Sequence, residues 1–161
     1  REARCQLLIT PRPPDATDLV QKRLFEDRYA VFYDPGHRAA PASLDDYLAS
    51  DHVTVSYGPG RPLALDQQLA GQGVDRRFVV QVPGFAGVAA FLRGGPWLAT
   101  LPRLLGLHSL QGLASTAPPL PCPPLPMYLV WHLRHQADPM HQWLRQQIEA
   151  VVPEVLPDGS I

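Results

Sequence analysis

The chain has 161 residues, 45% of them hydrophobic, and 14 Lys and Arg residues stand against 15 Asp and Glu residues for a formal net charge of -1. This size fits one or two small globular α/β units, and the near-neutral charge excludes the basic field that holds a nucleic-acid backbone. No apolar run reaches the roughly 20 residues of a membrane helix and the first residues lack the plan of a signal peptide, so we expect a cytoplasmic location.

The first half of the chain alternates strand and helix patterns. Ser43 is a favourable N-cap for a short helix with Leu44, Tyr47 and Leu48 on one face. A second helix follows a Gly-Pro loop and ends near 71–73. Segments rich in β-branched and aromatic residues predict strands at 5–10, 19–25, 29–33 and 53–57.

Residues 76–103 carry the clearest pattern of the chain. A strand at 76–82 stops at Pro83-Gly84, a helix follows over 85–92, and a second apolar run occupies 97–103. This order predicts a parallel crossover unit, and ligands of such sheets bind where the carboxyl ends of strands meet helix amino termini.

The last third is less regular. Leucines over 104–110 predict a brief helix, and the prolines of 117–126 predict an extended surface connector or, alternatively, a ligand for an aromatic groove. A strand follows at 127–132, and Asp138-Pro139 begins a final helix. We expect 153–161 to be a tail and the buried face of the helix to consist of Met140, Trp143, Leu144, Ile148 and Val151.

Residues with catalytic or metal-binding potential form no known pattern. His132, His135 and His141 fall on different elements without cysteine or carboxylate at ligand spacing, so neither a metal nor a cofactor is expected. Ser56 lacks the glycine that precedes a hydrolase nucleophile, and its glycine loop is too short for a nucleotide. Cys5 and Cys122 are interpreted as two ordinary thiols.

Two loops at predicted strand ends remain as a binding site. A hydroxyl, amides at a helix start and aromatic faces suit a carboxylate on an apolar ring. The alternative is that Ser56 caps its helix, Phe85 fills the core and Thr100 is a plain strand residue. The candidate binding residues are Ser56, Tyr57, Gly58, Pro83, Gly84, Phe85 and Thr100.

Several phrases, in order along nearly the whole chain, resemble the effector-binding domain of LysR-type transcriptional regulators. The resemblance is greatest to regulators of naphthalene and nitrotoluene degradation, which respond to salicylate-like aromatics. The phrases are KRLFEDRY at 22–29, PGH at 35–37, SL at 43–44, HV at 52–53, VPGF at 82–85, LATLPR at 98–103, LVWH at 129–132 and DPMHQWLR at 138–145.

The resemblance implies an α/β fold like that of type 2 periplasmic binding proteins, with two Rossmann-like subdomains joined by two crossing strands around the effector. Residues 1–31 and 100–161 would form the first subdomain, and 32–99 the second. The family's winged helix-turn-helix and the opening elements of the first subdomain have no counterpart here. We therefore expect a fragment with an incomplete first subdomain, half of a binding site and exposed apolar sheet faces.

The function implied is a sensor. A small effector, expected to be an aromatic or other carboxylate, would control promoter binding through the missing DNA-reading domain, in a homodimer or homotetramer with no membrane contact. A solute-binding protein of a transport system is an alternative with the same architecture. An enzyme is not expected, because no nucleophile with a base and no paired carboxylates lie in the strand-end loops.

Overall fold

A computed structural model describes residues 6–56 and 63–156. The chain divides into two compact units, of which unit 1 comprises Arg1–Asp27 and Pro124–Ile161 and unit 2 comprises Arg28–Pro123. Unit 2 includes 28–31 and 100–123, which the family resemblance assigns to the first subdomain. The subdomain limits of the family stay a prediction.

The regular elements match most of the predicted segments. Helices and strands alternate through unit 2, whereas unit 1 takes its strands from both ends of the chain. In chain order the elements are β1 (Leu7–Thr10), β2 (Leu19–Asp27), β3 (Tyr29–Tyr33), α1 (Leu44–Ala49), β4 (Asp51–Val55), α2 (Ala64–Ala70), β5 (Arg77–Val82), α3 (Phe85–Leu92), β6 (Ala99–Pro102), a 3-10 helix (Arg103–Leu107), β7 (Ala114–Thr116), β8 (Leu125–His132), a second 3-10 helix (Leu133–His135) and α4 (Pro139–Val155).

The parallel crossover predicted at 76–103 is confirmed only in part. β4 and β5 are parallel neighbours, and α2 forms the crossover between them. After α3, Leu98 returns beside β4 rather than β5, in a parallel bridge to His52. β6 then leaves this sheet and pairs antiparallel with β3, which also pairs with β7.

The buried core of unit 2 lies between its strands and α3. Val53, Val55 and Val82 from the parallel pair meet Val88 and Leu92 of α3, all 6% exposed or less. Burying a side chain of this kind stabilises a fold by about 1.5–3 kcal/mol. A shared hydrophobic core therefore fixes the ends of β4 and β5 relative to the start of α3.

Unit 1 is built around β8. β1 and β2 both pair antiparallel with β8, so that β8 is the middle strand of a three-stranded sheet. The connector predicted at 117–126 ends earlier than expected, because the strand already begins at Leu125 and Pro126 pairs with Glu26. Leu8 and Ile9 of the edge strand β1 are 40% and 43% exposed.

The start of α4 is as predicted, but its buried face is not. Oδ1 of Asp138 accepts from the backbone N–H of Met140 at 2.9 Å, and Pro139 opens the helix. Met140 is 75% exposed and Trp143 56% exposed, and Leu144 and Val151 are also exposed. The residues of α4 that are buried are His141, Arg145 and Val152.

Hydrogen bonds explain the rotated face of α4. Arg145 donates to the carbonyl oxygens of His135 at 3.3 Å and Gln136 at 3.1 Å, and its guanidinium carbon lies 4.4 Å from the ring centre of Trp131. The two carbonyls and the ring of Trp131 offset part of the cost of burying the guanidinium. The predicted tail is also wrong at its start, since α4 continues through Pro153 to Val155.

No helix within 6–56 and 63–156 is long and apolar enough to span a bilayer.

Candidate functional site

Two of the predicted loops leave the sheet side by side. The backbone N–H of Ser56, directly after β4, donates to the carbonyl of Val82, the last residue of β5, at 2.9 Å. Pro83 follows Val82 at once and is exposed. The parallel register therefore brings Ser56 and Pro83 together at the carboxyl edge of the β4–β5 pair.

The N-cap of α3 is Gly84, so no side chain accepts a hydrogen bond from the first turn of this helix. The first turn of α3 contains no acidic residue. A helix start carries partial positive charge and amide N–H groups without partners inside the helix. This edge of unit 2 is consequently suited to an anionic group.

The sequence left open whether Ser56 caps the next helix and whether Phe85 fills the core, and the structure answers the two questions differently. Ser56 is not the cap of α2, because α2 begins at Ala64 with Leu63 as its N-cap. Phe85 is half-buried and packs against the core of unit 2 while standing at the first position of α3. Phe85 thus has a structural role in addition to its position at the site.

Thr100 lies in a buried polar cluster that sequence reasoning missed. Thr100 is 2% exposed, and its Oγ1 lies 2.6 Å from the hydroxyl oxygen of Tyr47, which is 0% exposed. Burial is the main cause that raises the pKa of the Tyr47 phenol. The two residues are 53 positions apart, so no local spacing signals their contact.

Arg76 and Asp66 complete this cluster. The side chain of Arg76 is fully buried, and its Nε and Nη2 both donate to Oδ1 of Asp66, at 2.9 and 2.7 Å. Nη1 of Arg76 lies 3.4 Å from the Tyr47 hydroxyl. Since a buried guanidinium requires a partner for its charge, the ion pair with Asp66 is what allows Arg76 to be buried.

His52 adjoins the same cluster in its neutral form. Its Nε2 lies 2.8 Å from the carbonyl oxygen of Tyr47, so Nε2 carries the proton and donates it. Its Nδ1 is buried and has no hydrogen-bond partner among the described residues. Burial is the main cause that lowers the pKa of His52 to about 4.

The other residues considered in the sequence analysis are Tyr57, Gly58 and three histidines. Tyr57 and Gly58 lie outside the described residues. In unit 1, Nε2 of His132 is 3.1 Å from Oδ2 of Asp18, and the rings of His135 and His141 stack at 5.0 Å. In the described part of the chain, no three His, Cys, Asp or Glu side chains are grouped as a metal site would require.

Solved structures share this architecture. The regulatory domain of MexT, a transcriptional activator in Pseudomonas aeruginosa, superposes with a TM-score of 0.75 at 24% identity, covering 91% of this chain and 72% of that one. The regulatory domain of Synechocystis PCC6803 CcmR, in complex with 2-PG, gives 0.72 at 18% identity, covering 92% and 74%. At these identities the likeness shows the fold alone, which this chain shares with the two domains.

Residues 1–153 match the family model of the LysR substrate binding domain, and the chain belongs to this family, whose fold is periplasmic-binding-protein-like. Nodulation protein D 1 of Sinorhizobium fredii (strain NBRC 101917 / NGR234) is 32% identical over 129 residues, which are 77% of this chain and 40% of that protein. The transcriptional activator NagR of Ralstonia sp is 30% identical over 141 residues, or 83% and 46%. The chain spans less than half the length of these curated relatives.

The family is one of transcriptional regulators and not of enzymes, and NagR is described as a transcriptional activator. The expectation of a regulator domain without catalytic function is thereby confirmed.

Proposed function

We propose that this chain is the effector-sensing domain of a transcriptional regulator and that it binds a small aromatic carboxylate at the carboxyl edge of β4 and β5. The observation that carries this proposal is the 2.9 Å hydrogen bond between the Ser56 N–H and the Val82 carbonyl. It holds the backbone of Ser56 beside the loop that leads into α3. Strand-end loops of this kind are the usual binding positions of parallel α/β sheets.

Charge and shape at this edge favour a carboxylate. The first turn of α3 carries no acid that would repel an anion, and Gly84 places no side chain over the helix start. The helix dipole contributes a favourable interaction with a negative group there. Ser56 carries a hydroxyl and Phe85 a half-buried ring at this edge, and these are group types that suit an aromatic carboxylate.

The other sequence candidates take different places in the proposal. Tyr57 and Gly58 directly follow Ser56 and are proposed to contribute to the same site. Thr100 is proposed to support the site through its strand, because its hydroxyl is already engaged by Tyr47.

The proposed output of binding is a change in transcription. NagR is described as an HTH-type transcriptional activator, and it shares 30% identity with this chain. We propose that effector binding shifts the equilibrium between two conformations of an oligomeric regulator, and that a DNA-reading domain outside this sequence transmits the shift to a promoter. A cytoplasmic location follows from this proposal.

Calorimetric titration of the protein with salicylate and benzoate tests the proposal. Both should bind, and Ser56→Ala should weaken binding by about 10- to 150-fold, the equivalent of one hydrogen bond to a charged group. The backbone bond from residue 56 to Val82 is kept in this variant, so the sheet edge is preserved. Ser109→Ala, at an exposed position, is the matched control and should bind like the unmodified protein.

Binding of amino acids or sugars in place of aromatic carboxylates would contradict the proposal. That result would favour another effector class or the solute-binding alternative.

A further inference from the structure

The helix α4 directs polar side chains toward its own unit and apolar side chains outward. His141 and Arg145 are buried on the inner side. Nε2 of His141 lies 3.1 Å from the carbonyl oxygen of Gln6, and Nη1 of Arg145 donates to Nδ1 of His141 at 2.6 Å. These contacts attach the helix to unit 1 through polar groups, so most of its apolar residues are left on the opposite side.

The outward apolar residues form one continuous stripe over four turns, which we call the outer stripe of α4. Its members are Met140, Trp143, Leu144, Val151 and Val155, and they are 39–75% exposed. Residues spaced by three, four and seven positions lie on one side of a helix, and a soluble helix normally buries such a side. Within the part of the chain that the structure describes, the outer stripe therefore lacks the apolar partner that its pattern requires.

The outer stripe has enough area for a specific interface. Its five side chains expose on the order of 500 Å², and apolar patches of this size mark interaction sites. Two copies of the chain joined through it would bury about 1,000 Å² in total, the lower limit for a specific interface. Trp143 is of the residue type that most often anchors such contacts.

The two halves of the outer stripe are complementary in size. The large side chains of Met140, Trp143 and Leu144 lie in the amino-terminal half, and the carboxyl-terminal half has only Val151 and Val155. In an antiparallel pair of α4 helices, Met140 opposes Val155 and Leu144 opposes Val151. Large side chains then meet small ones along the whole contact, whereas a parallel pair would crowd one end and leave gaps at the other.

Charges at the ends of α4 favour the same arrangement. Arg134 is exposed just before the helix, and Glu154 is exposed in its last turn, which contains no basic residue. Antiparallel axes bring each Glu154 toward the amino end of the other helix, where the helix dipole and Arg134 favour an acid. The carboxylate of Asp138 at that end is engaged in the helix cap. Gln147, in the middle, carries an amide that can donate to and accept from its own copy across a two-fold axis.

We infer that the outer stripe of α4 is an interface at which two copies of this chain associate as an antiparallel, two-fold symmetric helix pair. The inference goes beyond the proposed function, because no effector takes part in the contact. Since the buried area is at the lower limit for a specific interface, the dimer should be in concentration-dependent exchange with the monomer.

Sedimentation equilibrium of the protein at concentrations from about 5 to 200 μM measures the association. The dimer fraction of the unmodified protein should rise across this range. Trp143→Glu should weaken association about tenfold or more, because it places a charge in an apolar contact. Its melting temperature, measured at the lowest concentration, should stay near that of the unmodified protein, because Trp143 is exposed in the monomer. Val151→Glu, on the same stripe, should weaken association in the same way.

Phe91→Glu is the matched control. Phe91 is an exposed apolar residue on α3 of unit 2, so the substitution introduces the same charge on a helix outside the outer stripe. This variant should associate like the unmodified protein.

Cysteine cross-linking tests the antiparallel order, in a background in which Cys5 and Cys122 are replaced by serine. Gln147→Cys should give a disulfide-linked dimer on mild oxidation, because the two copies of residue 147 meet near the axis. Val155→Cys should not, because an antiparallel pair separates the two copies of residue 155 by about 22 Å along the helix.

Three results would overturn the inference. A monomer at every concentration would show that a second copy does not cover this surface. A dimer that persists in Trp143→Glu and Val151→Glu would place the interface elsewhere. Cross-linking of Val155→Cys in preference to Gln147→Cys would exclude the antiparallel order. Effector titrations test the proposed function separately, so each proposal can fail without the other.

Discussion

The hydroxyl oxygens of Tyr47 and Thr100 lie 2.6 Å apart in the interior of unit 2 and join α1 to β6. Arg76 donates to the same Tyr47 oxygen at 3.4 Å, and its charge is balanced by Asp66. A hydroxyl thus connects a helix, a strand and an ion pair that are remote in sequence. Buried networks of this kind are costly to interrupt, because each remaining polar group loses its partner.

Removing the Tyr47 hydroxyl should destabilise the protein. We expect Tyr47→Phe to lower the free energy of unfolding by about 1–2 kcal/mol, since Thr100 and Arg76 would each lose a buried partner. Urea denaturation followed by circular dichroism measures the change. Tyr33→Phe is the control, because Tyr33 packs on the same small core and has no hydroxyl hydrogen bond in the described residues; its effect should stay within about 0.5 kcal/mol. Equal effects of both substitutions would refute the network.

His52 should make stability depend on pH in the mildly acidic range. Its pKa is about 4 in the folded protein because burial opposes its protonation, whereas an unfolded histidine titrates near about 6.5. As the pH falls from about 6.5 to 4, protons bind the unfolded chain first, so stability should decrease by up to the order of 3 kcal/mol and then level off for this group.

Denaturation midpoints measured across this pH range test the His52 prediction. The slope should largely vanish in His52→Leu. It should persist in His108→Gln, because His108 is exposed. An unchanged slope in His52→Leu would assign the pH dependence to other groups.

Asp34 should contribute stability at neutral pH that is lost in acid. Its carboxylate accepts from the backbone N–H of Gly94 at 2.8 Å and of Gly36 at 2.9 Å, and these bonds, with His37 nearby, lower its pKa. The contribution is present above the pKa of an unfolded aspartate, about 4, and disappears as the pH falls through the lower folded value. The stability difference between the protein and Asp34→Asn should therefore shrink below about pH 4. A difference that grows in acid would reverse the assigned sign, and Asp75→Asn, at an exposed position, serves as control.

Arg145 should be essential to the packing of α4. Arg145→Lys keeps the charge, but an ammonium cannot donate to the carbonyls of His135 and Gln136 while stacking on Trp131. We expect a loss of about 1–3 kcal/mol in the free energy of unfolding, measured by denaturation. The exposed ion pair of Lys22 with Glu149 provides the comparison, and Lys22→Gln should cost less than about 1 kcal/mol. A loss for Arg145→Lys as small as that for Lys22→Gln would contradict the structural role.

Local patterns account for most of the elements. Ser43 and Asp138 cap the helices predicted from them, because a cap depends on neighbours two or three residues away. β7 was not predicted, since its three residues carry no strand pattern of their own and are ordered by pairing with β3. Periodicity identified an apolar face on α4 but could not show that Arg145 and His141 would find buried partners on another face.

At the candidate site, too, local patterns predicted one contact and missed another. The meeting of Ser56 with the end of β5 follows from two parallel strands ending together, and sequence reasoning predicted it. The engagement of Thr100 by Tyr47 depends on how α1 packs over β6, which no spacing within either element encodes. Contacts between distant elements are set by tertiary packing and lie beyond local propensity.

The position of β8 in its sheet has a consequence for the order of folding on the ribosome. Within the described residues β1 and β2 pair only with Leu125–His132, which is synthesised after all of unit 2. Domains tend to fold as units while the nascent chain lengthens. Unit 2 can thus acquire its structure before the edges of β1 and β2 are paired with β8, and these non-local pairings are expected to form late.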